Sequence, residues 1–268
     1  MDAPVAYRRL LLTGAAGALG HVLRPAMRGW AATLRVSDIA ALDPAQGNEE
    51  AMPCDLGDEP AMRKLLEGVD AVVHMGGIST DKPWAPILNA NIAGVYNLYE
   101  SARIAGTKRI IFASSNHAIG FHPRSQRIDA DDPVRPDSLY GVSKSFGESL
   151  SRFYFDRYGI ESVCLRIGSA FPEPKDRRML ITWLSYADLT ELVRASLFAP
   201  RVGHTIAFGA SANRDSWWDN SRAAHLNWQP RDNTEKFRAA READPPVDAS
   251  SPVERYQGGA YVISGPYE

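Results

Sequence analysis

Residues 10–20 read LLLTGAAGALG, an apolar run that breaks into three glycines spaced three apart, Gly14, Gly17 and Gly20. The run belongs to RRLLLTG (8–14), whose apolar positions are consecutive instead of alternating, as in a strand buried on both faces. Beyond the glycines, Leu19, Val22, Leu23, Ala26, Met27 and Trp30 fall at helical spacing, and Pro25 is expected to kink or shorten that helix. Glycines between such a strand and such a helix permit a tight turn, let a pyrophosphate approach the backbone and let the helix pack on the strand. The helix N-terminus then meets the anion with unpaired amides. Loops collect glycine for other reasons, so the triplet needs support, and Asp38 gives it. Asp38 closes a second strand, TLRVSD (33–38), where a carboxylate can accept both ribose hydroxyls of an adenosine and would repel a 2′-phosphate. NAD is therefore the expected cofactor, in preference to NADP; the competing reading of Asp38 is a turn aspartate.

Outward from this unit the cadence repeats. EAMPCDL (50–56), DAVVHMGG (70–77), RIIFASS (109–115) and ESVCLRIGS (161–169) read as further strands, with helices expected over 58–67, 84–105 and 137–158. This alternation predicts an α/β fold of the Rossmann type, a doubly wound parallel sheet covered on both faces. Residues 1–170 are expected to form the NAD-binding domain. After residue 170 the pattern loosens. FPEPKDRRML is polar and proline-punctuated, SYADLTELVRASLFAP is a plausible helix, and RDSWWDN onward has no strong period, with 244–252 reading as loop. With no long linker, residues 171–268 should be a small C-terminal substrate-binding region packed on the first. Asp55, in CDLGD, can accept from an adenine amino group or cap the helix that follows it. Gly76 and Gly77 offer close backbone approach to the cofactor.

Composition narrows the partners. The formal net charge is -2, which provides no basic field to gather phosphate backbones, so nucleic acid is not expected. AVVH and RIIFA are far too short to cross a bilayer, and MDAPVAYRR lacks the apolar core of a signal peptide, so a cytoplasmic protein with no membrane partner is expected. Cys54 and Cys164 lie in apolar strand-like runs, with no CxxC and no clustered histidines; buried free thiols are expected, and no metal.

SLYGVSK (138–144) carries the chemistry. Four helical residues advance about 6 Å and about 400° of rotation, so Tyr140 and Lys144 share one face. A free phenol titrates near ~10, and to serve as a base near neutral pH it must drop by about 3 pH units, roughly 4 kcal/mol. One solvated lysine cannot supply that. The pair is catalytic where a second positive group sits beside it and water is largely excluded, conditions an oxidised nicotinamide ring would meet. Elsewhere Tyr-x-x-x-Lys is a solvated helix face.

The glycine loop, Asp38, GGIS (76–79), NIAGVYNL (91–98), SSN (114–116) and YGVSK, in that order, resemble the extended short-chain dehydrogenase/reductase superfamily over residues 8 to about 170. The resemblance implies that Ser115 holds and polarises the reacting hydroxyl, Tyr140 is the general base, and Lys144 binds the nicotinamide ribose while lowering the phenol's pKa. It implies NAD contacts from Gly14, Gly17, Ala18, Leu19, Gly20, Asp38, Asp55, Leu56, Gly76, Gly77, Asn91, Tyr140 and Lys144. Ala18 is a departure, because a glutamine can stand there in close relatives.

FASSNHAIGFHP (112–123), LYGVSKSFGE (139–148), RIGSAFPEPKDRRMLITW (166–183) and GASANRDSWWDN (209–220) extend the likeness over nearly the whole chain. Together they resemble the NAD-dependent enzymes that oxidise a uronic acid, galacturonate or glucuronate, at its anomeric carbon to an aldarolactone. This implies substrate contacts from Ser79, Ser115, Asn116, His117, Tyr140, Ser169 and Arg178. A guanidinium can grip a sugar carboxylate with two hydrogen bonds, and Arg177 next door competes with Arg178 for that role. His117 is either a neutral hydrogen bonder or a structural histidine at a strand end. Two other readings belong to the same fold. A nucleotide-sugar epimerase or dehydratase usually carries a longer C-terminal region, and a non-catalytic NAD-sensing regulator typically lacks the tyrosine or lysine. The apolar residues of helices 84–105 and 137–158 could pair across subunits, so a homo-oligomer is expected.

Overall fold

Leu10 and Leu12 face one hydrophobic cluster and Leu11 the other, so the first strand, β1 (Tyr7–Thr13), is covered on both sides as its sequence demands. The computed structural model describes residues 7–245 and 248–265. Six more strands join β1: β2 (Ala31–Ser37), β3 (Glu49–Ala51), β4 (Ala71–His74), β5 (Arg109–Ser115), β6 (Glu161–Ile167) and β9 (His204–Gly209). Their order is β3-β2-β1-β4-β5-β6-β9, with every pairing parallel. The order reverses between β1 and β4, and the crevice at the carboxyl ends of these two strands is where a doubly wound sheet takes its ligand. Helices α1 (Ala18–Met27) and α7 (Tyr186–Phe198) cover one face; α2 (Glu59–Leu65), α4 (Gly94–Ala105) and α5 (Leu139–Tyr158) cover the other.

Three local outcomes differ from the sequence pattern, each for a physical reason, and a fourth, the early end of the helix that carries Pro25, follows it. Regular pairing of the third strand stops at Ala51 instead of reaching residue 56; the Met52 and Cys54 amides still donate to Val36 O and Asp38 O, Pro53 sits between them where no ladder amide is needed, and Asp55 then turns the chain onto the Gly57 amide. Helix α1 carries Pro25 and tightens into a 3₁₀ turn two residues later, at Arg28–Trp30. The helix expected over 84–105 is broken by a π-helical stretch, Leu88–Ala93, between α3 (Trp84–Ile87) and α4. The strand expected over 161–169 divides at Gly168, where a Cβ would lie 2.1 Å from the Thr182 carbonyl oxygen. The chain then pairs as β7 (Ser169–Ala170) with β8 (Trp183–Leu184), which follows the short helix α6 (Met179–Thr182).

β9 has no counterpart in the sequence reading. HTIAFG is short and follows a helix directly, yet it closes the sheet against β6. Residues after 170 thus complete the sheet layer with α7 and β9, and they also supply the segments around 178 and 257–261 that reach the site. Among the described residues no helix is long and apolar enough to cross a membrane. Cys54 and Cys164 are both free and buried.

Candidate active site

The glycine loop is built for close backbone approach. Gly14 has φ +70°, and a Cβ on it would stand 2.5 Å from the Met75 carbonyl carbon and 2.6 Å from the Gly76 nitrogen. A Cβ on Gly20 would stand 2.1 Å from the Gly14 oxygen, so no side chain fits between strand and helix. Gly17 is the N-cap of α1 and gives its amides no side-chain partner. Ala18 opens this helix and is exposed, while Leu19 packs partly into the core. Asp38, just past β2, accepts from the Ala16 amide (2.9 Å) and the Ala40 amide (3.0 Å), which fixes its carboxylate beside the loop. These features fit a dinucleotide: uncapped helix amides for a pyrophosphate and a pinned carboxylate for a ribose.

The neighbouring residues divide. Asp55 is not the cap of α2; Asp58 is, accepting from the Ala61 amide at 3.0 Å, and Asp55 accepts from Gly57 at 2.8 Å. Leu56 packs against Gly94, where a Cβ would come within 2.6 Å. Gly76 and Gly77 line the turn after β4, and a Cβ on Gly77 (φ +114°) would meet Asn91 Oδ1 at 2.7 Å. Asn91 lies in the π-helical stretch, and its amide is fully committed. It accepts from Ile78 N (2.8 Å) and donates to Ile78 O (2.9 Å) and Ser143 Oγ (3.0 Å), tying the loop after β4 to α5. A π-bulge is a common device at functional sites, and here it turns Asn91 inward.

Tyr140 and Lys144 sit in the first turns of α5, which Ser138 caps through the Gly141 amide (3.1 Å) and Asp81 caps through the Tyr140 amide (3.2 Å). Both are buried, with exposures of 6% each, so the solvated-face reading of the pair fails. The Ser115 hydroxyl, at the end of β5, hydrogen-bonds the phenol and also accepts from the His117 amide (3.1 Å). Burial pushes the Tyr140 pKa above that of a free phenol, and the Ser115 hydrogen bond opposes this only in part. Lys144 Nζ stands 5.6 Å from the centre of the Tyr140 ring and donates to Ala113 O at 2.7 Å. Burial holds its ammonium down to about 8.

This depression has a sign. Between about 8 and 10.5 the folded protein binds fewer protons at Lys144 than the unfolded chain does. The residue's contribution to stability is therefore full above 10.5 and lost as pH falls through about 8. Relative to Lys144→Met, the wild type should gain roughly 3 kcal/mol of unfolding free energy as pH rises across that window. Urea unfolding at a series of pH values checks this, and parallel curves for the two proteins would mean that the lysine is not desolvated.

Around this pair lie the residues expected to touch substrate. His117 Nδ1 bonds Asp137 Oδ2 (2.8 Å), its ring stacks on Tyr261 (3.7 Å between centroids, 19° between planes), and it meets Tyr140 edge-on at 5.9 Å. Burial lowers the His117 pKa against the pull of Asp137, so the ring is neutral at pH 7, with Nδ1 the donor to the carboxylate. Ser169 is buried and shares a hydrogen bond with Thr182 (2.9 Å). Ser79 is exposed on the loop that carries Asp81.

The two arginines separate cleanly. Arg177 is exposed and ties itself to the carbonyls of Glu242 and Asp244 at the end of α8 (Glu235–Glu242). Arg178 turns inward, where Nε donates to Gln257 O (2.7 Å). With the Asn116 amide oriented so that its nitrogen donates to Ile167 O (3.0 Å), the amide oxygen accepts from Arg178 Nη2. Among the described residues no carboxylate forms an ion pair with Arg178, and burial lowers its pKa to about 10.

Asp137, Asp81, Gln257 and Tyr261 are parts of the site that the sequence reading missed. Asp137 immediately precedes the N-cap of α5, a position at which an acidic residue needs no special reason. For the other three, the only sequence signal is the Gly258–Gly259 pair, which marks close backbone approach next to Gln257. Among the described residues no group of three or more His, Cys, Asp or Glu side chains is placed to hold a metal ion.

A pinned carboxylate beside a glycine loop, with a buried Ser-Tyr-Lys set at the sheet's carboxyl edge, defines a dinucleotide-dependent enzyme of the short-chain type, and the chain belongs to the NAD dependent epimerase/dehydratase family, whose profile matches residues 10–195. More particularly, it is 57% identical to a uronate dehydrogenase of Pseudomonas putida, over 97% of this chain and 98% of that protein. Its structure is similar to that of a glucuronic acid dehydrogenase from Chromohalobacter salexigens (TM-score 0.94, 49% identity, 96% of this chain and 97% of that one). It is equally similar to a mutant uronate dehydrogenase from Agrobacterium tumefaciens complexed with NAD (TM-score 0.95, 49% identity, 98% of this chain and 100% of that one).

Proposed function

We infer that this chain is an NAD-dependent dehydrogenase that oxidises a hexuronic acid, galacturonate or glucuronate, at the anomeric carbon to an aldarolactone. The observation that carries the substrate class is Arg178. It is a half-buried guanidinium held by two neutral carbonyl groups, without a carboxylate partner among the described residues, one residue along the Asn116 bridge from Ser115. Among the described residues two of its five N–H donors are used, and a half-buried cation without a counter-ion there favours an anionic ligand. A sugar acid supplies that anion on the ring carbon across the ring oxygen from its anomeric carbon.

The roles follow. The glycine loop and the α1 amides hold the pyrophosphate, Asp38 takes the adenosine ribose, and Lys144 takes the nicotinamide ribose. Bound NAD supplies the hydride acceptor and, when oxidised, a positively charged ring. Ser115 orients the anomeric hydroxyl. Tyr140, as phenolate, would take that hydroxyl's proton while the anomeric carbon gives up its hydride to the cofactor's acceptor ring, and that carbon becomes the carbonyl of a lactone, which needs no further acid. His117, held by Asp137 with Nδ1 as donor, offers Nε2 as an acceptor for a sugar hydroxyl. Asn116 and Ser169 complete the polar wall, and Ser79 contributes from the loop after β4. Residues 171–268 provide the substrate-binding side through Arg178 and the segment 257–261. Dependence on NAD supports a cytoplasmic enzyme. Exposed apolar side chains on α4 and α5, Tyr96, Ile104, Val142 and Phe153, support a homo-oligomer that pairs these helices.

The test is direct. Purified protein with NAD and galacturonate or glucuronate should raise the near-ultraviolet absorbance of reduced nicotinamide, with far less rise when NADP replaces NAD. No rise with either uronate would exclude this reading.

A further inference from the structure

We propose that Gln257 is a positioning residue that sets the enzyme's grip on the substrate carboxylate by fixing Arg178 through its own backbone carbonyl. The proposal rests on the uronate reading and adds a residue to it.

Gln257 is fully buried, and each of its polar groups has a partner. Its side-chain nitrogen donates to Pro123 O (3.1 Å) and Gln126 O (2.9 Å), and its side-chain oxygen accepts from Trp218 Nε1 (2.9 Å). Its backbone amide donates to His122 O (2.9 Å), and its backbone carbonyl accepts from Arg178 Nε (2.7 Å). The carbonyl therefore cannot swing without breaking bonds to two other parts of the chain. Trp218, one of those partners, is itself locked by stacking on Phe208 at 5.5 Å.

The segment on either side is fastened to the same region. Arg124 donates to Tyr256 O (3.2 Å) and Val253 O (2.9 Å), and the Gly258 amide donates to Gly120 O (2.8 Å). The two glycines that follow are pressed onto the site. A Cβ on Gly258 would stand 2.0 Å from Asp137 Oδ2, and one on Gly259 would stand 2.7 Å from Arg178 Cδ. A guanidinium recognises a carboxylate through a planar fork, so its angle matters as much as its place. Nε is the atom nearest the alkyl stem. A carbonyl bonded there sets the plane of the fork, while Asn116 fixes one terminal nitrogen. A half-buried cation held by two neutral oxygens keeps its full charge for the ligand.

Gln257→Leu keeps the volume and removes the three side-chain hydrogen bonds. The KM for galacturonate, or for glucuronate if that is the better substrate, should rise about tenfold or more, because a misoriented fork loses a charge-assisted hydrogen bond. The kcat and the NAD dissociation constant should each stay within about threefold. A merely structural role would lower the active fraction, so kcat would fall at constant KM; that result, or an unchanged KM in the folded variant, overturns the proposal. Circular dichroism and a thermal melt establish that the variant is folded. If it is not, Trp218→Phe decides by the same readouts, since it removes the Nε1 bond to the Gln257 side chain and keeps an aromatic ring against Phe208. A wild type inactive on both uronates would sink the functional reading itself; a wild type active on one of them, with variants of unchanged KM, would sink only the role of Gln257.

Discussion

Replacing Tyr140 with phenylalanine should lower kcat by about 10³-fold while leaving the NAD dissociation constant within about twofold. The phenol is the group placed to take the hydroxyl proton, because it lies beside Ser115 and Lys144 and the Ser115 hydroxyl is too weak a base. Phenylalanine keeps the ring and its packing against Lys144 and His117, so the loss belongs to the oxygen. Single-turnover measurements of nicotinamide reduction separate the chemical step from product release. A variant that keeps turnover within about tenfold of the wild type would remove Tyr140 from the role of base.

Arg178→Ala should lower kcat/KM for galacturonate by about a hundredfold or more, since it removes the charged partner of a desolvated carboxylate. Discrimination between galacturonate and the neutral sugar galactose should collapse by a similar factor, because galactose has no carboxylate to lose. Arg177→Ala should change neither, as its guanidinium is occupied at the surface by the carbonyls of Glu242 and Asp244. Equal losses on the charged and the neutral sugar would show that the carboxylate is held elsewhere.

The sequence discloses those parts of the fold in which neighbours along the chain decide the outcome. Consecutive leucines in β1, the glycine triplet and the helical spacing after it are local signals, and the strand, turn and helix follow them. The short elements are decided by distant partners. β3 pairs for three residues beside β2 before Asp55 turns the chain away, and β9 is placed by its pairing with the edge of β6. The π-helical stretch depends on a side-chain amide reaching Ile78 and Ser143, which no periodicity encodes.

The site divides in the same way. Tyr140 and Lys144 were legible as a pair because they share a helix face; Ser115 was pointed to only by the resemblance, since a serine that ends a strand more often serves the turn. The choice between Arg177 and Arg178 was not. It is made by the Gln257 carbonyl, 79 positions along the chain, and by Asn116 at the end of β5. Asp137 stayed hidden because its contact with His117 comes from the loop between β5 and α5, and Tyr261 because it reaches His117 only once the tail has folded back.

The account depends on charge brought to Tyr140 from outside its own helix face, since the chain alone holds the phenol protonated. The most direct check is the tyrosinate absorbance of the wild type minus that of Tyr140→Phe, followed against pH with and without saturating NAD. The expected result is one phenol ionising above pH 10.0 in the free protein and at least about two pH units lower in the complex. The same midpoint in both states would contradict it.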